Sequence, residues 1–111
     1  MARRSYLGDF ELVVMLAVLR LGDIAYGVPI AREIALQSGR EVLLGSVYAT
    51  LERLRQKGLV SSTLGEPTAQ RGGRAKRYFQ VTTKGLSEIR HARQTLIRLW
   101  RGLSELKGES A

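Results

Sequence analysis

Leu44-Gly-Ser-Val-Tyr-Ala-Thr-Leu-Glu-Arg-Leu-Arg-Gln-Lys-Gly-Leu-Val-Ser-Ser-Thr-Leu64 changes its hydrophobic period part-way along. Up to Lys57 the apolar residues Val47, Leu51 and Leu54 recur at spacings of four and three, the inner stripe of an amphipathic helix. Gly58 then suits a helix stop. From Leu59 to Leu64 the pattern alternates, which predicts a strand, and Arg77-Tyr-Phe-Gln-Val81 predicts a second. The residues between them, 65–76, carry glycines and a proline, the signals of turns. A helix therefore hands over to an antiparallel hairpin with a long tip. Opposite the helix's inner stripe stand Ser46, Ala49, Thr50, Arg53 and Lys57.

Two more helices are expected upstream. The first spans Phe10 to Arg20, with Asp9 as N-cap and Gly22 beyond its last turn. It is apolar nearly all round, so it is expected to be buried on more than one side, as the centre of the fold or partly as a dimer interface. The second starts near Val28-Pro29, where a missing N–H is harmless, and closes at Gly39 with Ile30, Ile34, Ala31 and Ala35 inward. Downstream, Thr82 caps a last helix that runs to about Leu106. On it Leu86, Ile89, Leu96, Trp100 and Leu103 fall on a heptad-like spacing, widened by Ile97, Leu99 and Leu106. Such a helix would span about 36 Å, more than its own domain needs, and a second copy is the simplest cover for its apolar stripe.

Three helices followed by a hairpin with a basic tip is the order of a mainly α winged helix-turn-helix, here with a long C-terminal dimerisation helix. The expected division is a DNA-binding domain over 1–82 and a dimerisation helix over 83–111. In such a fold the second helix of the pair enters the major groove. Here that is the helix carrying Ser46, Ala49, Thr50 and Arg53, with Tyr48 at the core boundary.

Charge points the same way. The chain has 111 residues, 18 Lys and Arg against 10 Asp and Glu, and a net charge of +8. Residues 1–39 hold four basic and four acidic side chains, 40–77 eight and three, and 78–111 six and three. The middle third thus carries most of the excess, which suits a polyanion such as nucleic acid. Arg71, Arg74, Lys76 and Arg77 crowd four cations into seven residues around Gly72 and Gly73. Clustered cations repel, so the fold gains nothing from them, whereas a phosphate backbone neutralises them and releases counterions.

Other chemistry is poorly represented. There is no cysteine, so neither a disulfide framework nor a thiolate metal site exists. His91 is the single histidine, with no partner for a metal and no orienting carboxylate for a triad, so no catalytic residue and no cofactor are expected. The apolar run Leu12 to Leu19 is far short of the ~20 residues that span a bilayer. Arg3 and Arg4 faintly imitate a signal peptide, but Asp9 and Glu11 interrupt it, and a cytoplasmic protein without a membrane partner is expected. The alternative is a winged-helix protein-interaction module that uses the last helix's stripe; an acidic third helix would favour it, and the charge is the reverse. RNA binding lacks exposed stacking aromatics on a sheet. Trp100 is the single tryptophan, read as interface packing or as a stacking platform for a flat aromatic ligand between subunits.

Four runs add a resemblance: Leu7-Gly-Asp-Phe-Glu-Leu12; Ala25-Tyr-Gly-Val-Pro-Ile30; Leu44 to Leu54 with Lys57-Gly-Leu-Val60; and Gly72-Gly-Arg-Ala-Lys-Arg-Tyr78. In this order they resemble the PadR family of bacterial transcriptional regulators over residues 7 to 103. The resemblance implies a dimeric winged-helix repressor that binds double-stranded DNA. It implies that Ser46, Tyr48, Thr50 and Arg53 belong to the recognition helix and Arg74, Lys76 and Arg77 to the wing. The single C-terminal helix resembles the short subfamily, some members of which bind planar aromatic effectors at the dimer interface. Two departures stand out. Leu43 occupies a place where relatives often carry a polar residue that caps the recognition helix, and Thr83 one where proline is common.

Overall fold

A computed structural model describes residues 7–65 and 75–106. Helix α1 (Asp9–Leu21) starts one residue earlier than expected. Gly8, not Asp9, is the N-cap, and the missing side-chain cap is replaced from inside the helix: the Gly8 N–H donates to Glu11 Oε1 at 2.9 Å. This is half of a capping box, with the N3 glutamate reaching back. A short 3-10 turn (Gly22–Ile24) leads to α2 (Gly27–Ser38), which ends on Gly39 in the left-handed region, φ 73°. Helix α3 (Leu44–Gln56) follows without a side-chain cap, because its N-cap is Leu43.

Strands β1 (Val60–Leu64) and β2 (Arg77–Val81) pair antiparallel, with Val60 opposite Val81 and Leu64 opposite Arg77. The far edge of β2 is held as well: the Phe79 N–H donates to the Ala25 carbonyl at 2.8 Å, tying the hairpin to the turn before α2. Phe79, Leu59 and Val60 then close the core formed by Val14, Met15 and Val18 of α1, Ile30 and Ile34 of α2, and Val47, Leu51 and Leu54 of α3. Each such fully buried large side chain stabilises the fold by about 1.5–3 kcal/mol.

Helix α4 (Thr83–Trp100) is docked by its first turn. Thr82 Oγ1 accepts from the Gly85 N–H at 3.0 Å and donates to the Gly58 carbonyl at 2.7 Å. Gly85 lies against the Leu59 carbonyl so closely that a Cβ there would overlap it. The expected helix to Leu106 is too long: α4 stops at Trp100, Gly102 turns the chain with φ 81°, and Ser104–Leu106 form a 3-10 turn. Leu103 and Leu106 continue the apolar spacing, but glycine at a positive φ ends the helix before them.

Helix α1 is buried on one side only. Val14, Met15, Ala17 and Val18 pack inward, whereas Val13, Leu16 and Leu19 are exposed. Among the described residues, the chain's own elements cover one face of this apolar helix and leave the opposite face partly exposed.

Candidate nucleic-acid interface

Helix α3 divides cleanly. Val47, Leu51 and Leu54 are fully buried, and Gly45, Ser46, Ala49, Glu52, Arg53 and Gln56 are exposed. Thr50 belongs with the buried set, at 2 % exposure, and the expectation that it faces a groove is corrected. It stands on the shoulder of the wheel next to Leu51 and Leu54, and its hydroxyl accepts from Arg53 Nη2 at 3.2 Å. Gly45 and Glu52, absent from the residues expected to face the groove, share the outward face instead.

Arg53 is exposed but engaged. Its guanidinium lies 3.8 Å from Glu11 Oε2, and Lys57 Nζ donates to both Glu11 oxygens at 3.1 and 2.8 Å. Glu11 is only 7 % exposed. Burial pushes its carboxyl up, but the Lys57 hydrogen bond, the Gly8 N–H and the charges of Lys57 and Arg53 outweigh burial and hold it below its ordinary value. The start of α1 is thereby clamped to the C-terminal half of α3. This hub was missed, because Glu11 and Lys57 are 46 residues apart and nothing local marks the pair.

On the other flank of α3, Tyr48 lies across the first turn of α2, its ring and hydroxyl occupying the space a Cβ on Gly27 would need. Glu52, in the middle of the outward face, is paired with Arg55 at 2.6 Å. The Arg55 hydrogen bond is the main cause that holds its carboxyl below the ordinary value, and the charge of Arg77 contributes. Arg77 also donates to Ser62 Oγ across the hairpin at 3.0 Å.

Lys76 is held at the wing's root. Its ammonium is 4.5 Å from the centroid of Tyr26 and donates to the Tyr26 hydroxyl at 3.4 Å. Tyr26 in turn meets Tyr78 edge to face at 5.5 Å. Arg71 and Arg74 lie outside the described residues. Of the residues expected on the dimer-facing stripe, Ile89 packs on the chain's own core and Leu86 is half-buried. Leu96 and Trp100 are exposed near the end of α4, and Leu103 is exposed beyond it.

Residues 15–91 match the transcriptional regulator PadR-like family. The chain belongs to that family. No curated protein matches it in sequence. Among solved structures, a PadR-like transcription factor from Bacteroides fragilis is 24% identical, with a TM-score of 0.70 over 87% of this chain and 88% of that one. A PadR-like regulator from Bacillus cereus is 21% identical, with a TM-score of 0.68 over 91% and 93%. RosR from H. salinarum is 21% identical, with a TM-score of 0.66 over 89% and 82%. The winged-helix fold of this PadR-like regulator is thus shared widely at low identity. The family is one of DNA-binding transcriptional regulators and not of enzymes. In this PadR-like regulator no helix of the described residues is long and apolar enough to cross a membrane.

Proposed function

We propose that this PadR-like regulator is a cytoplasmic repressor that occupies a near-palindromic promoter operator as a homodimer. Residues 1–82 are its DNA-binding unit and 83–111 its dimerising segment. The observation that carries the reading is the exposed face of α3, with Ser46, Ala49 and Arg53 outward, followed directly in the chain by the hairpin and lying within its most basic third. Ser46, Ala49 and Tyr48 approach base edges, and Arg71, Arg74 and Arg77 take phosphates. Lys76 serves the wing partly as a prop against Tyr26. Arg53, already facing Glu11, contributes to the backbone contact rather than to base choice. Dimerisation, typical of the family, is supported by the exposed Leu96, Leu99 and Trp100 at the end of α4. A flat aromatic effector stacking on Trp100 would relieve repression only if it favoured a spacing of the recognition helices that DNA does not.

Selection of duplexes from a random pool tests the reading. Half-sites about one helical turn apart are expected. Arg74→Ala with Arg77→Ala should weaken binding to every sequence and flatten the salt slope by about one unit per lost phosphate contact. Ser46→Ala should instead change which bases are preferred. Binding by the arginine variants that matches wild type across a salt series would show the wing to be a solvated turn.

A further inference from the structure

Leu43 is 77 % exposed at the N-cap of α3, the end of a recognition helix that faces base edges. Leucine is among the poorest N-caps, since it offers no oxygen to the helix's unpaired N–H groups. Its side chain does not enter the core. The surface that continues from it is equally smooth. Leu44 is partly exposed, and Gly45 has open space where a Cβ would stand. In the major groove one base-pair feature is apolar, the 5-methyl group of thymine, and apolar side chains are what contact it.

We propose that Leu43 is a specificity-determining residue that reads a thymine methyl group in each half-site. The DNA is held by the basic third of the chain, so Leu43 need supply no affinity for phosphate. It acts as a discriminator: it gains contact with thymine and leaves the exocyclic amine of cytosine without a partner. This rests on the DNA-binding reading above and adds to it which base is preferred and which residue chooses it.

The test uses full-length protein and the duplex recovered by selection, with each thymine replaced in turn by uracil, which removes only the methyl group. Wild type should lose about fourfold in affinity at one thymine per half-site, the factor expected for one buried methyl. Leu43→Ser should bind the thymine and uracil duplexes equally. Serine is a favourable N-cap, so this variant should fold at least as well as wild type, and loss of discrimination cannot be blamed on unfolding. Equal binding by wild type at every uracil position overturns the proposal while leaving DNA binding intact. So does a Leu43→Ser variant that keeps the same thymine preference. A selection that recovers no bound duplex overturns both readings together.

Discussion

Glu11 is a carboxylate taken almost out of water and repaid by two donors, the Gly8 N–H and Lys57, and by the nearby charge of Arg53. Its folded-state pKa lies below the ordinary 4.5, so its contribution is present in full above that value and is lost as pH falls through the lower folded value. Glu11→Gln should cost about 1.5–3 kcal/mol at neutral pH, the range for hydrogen bonds to charged groups. The gap between wild type and variant should then narrow as pH is lowered past 4.5. Urea midpoints of both proteins between neutral pH and strong acid check this; a gap that stays constant would show that the carboxylate's charge plays no part. Thr50 offers a contrast on the same helix. Buried beside Leu51, it should alter stability and not base preference when substituted.

Two glycines at helix starts look alike and should respond differently. At Gly85 a Cβ would meet the Leu59 carbonyl, part of a backbone held by Thr82, which cannot yield. Gly85→Ala should lose about 1–3 kcal/mol in spite of alanine's better helix propensity. At Gly27 the obstacle is the far end of Tyr48, a part-exposed side chain that can swing aside. Gly27→Ala should keep its stability within about 0.5 kcal/mol, yet weaken operator binding by displacing Tyr48 from the flank of α3. Thermal melts and operator titrations of both variants separate the two effects. Most elements could be read from the sequence because their period is local: Val47, Leu51 and Leu54 state a helix, and Leu59 to Leu64 a strand. The end of α4 could not, since Leu103 and Leu106 keep the helical spacing on the far side of Gly102. Nor could the Glu11 clamp or the place of Thr50, which depend on how α1 and the hairpin settle against α3. The wing's cations were conspicuous in sequence, but the hold of Tyr26 on Lys76 joins residues 50 apart.

At the scale of the molecule, the described residues leave apolar side chains exposed along two helices, Val13, Leu16 and Leu19 on α1 and Leu96, Leu99 and Trp100 toward the end of α4. Apolar rows of this kind on two helices suit burial against a second copy. Wild type should have the mass of two chains at micromolar concentration. Leu96→Glu with Leu99→Glu should have the mass of one while keeping its helical signal. Light scattering with circular dichroism checks both, and a single-chain mass for wild type would remove the basis for a two-fold operator. The docking of α4 also makes it a lever. Thr82 and Gly85 fasten its first turn to the hairpin's base, while its far end carries Trp100 about 27 Å away along the axis. A tilt of about 15°, the scale of known subunit rotations, would swing one end relative to the other by about 7 Å, roughly two base-pair steps. Small adjustments where two subunits meet would thus be magnified into a mismatch between wing and duplex, with no change inside either globular head.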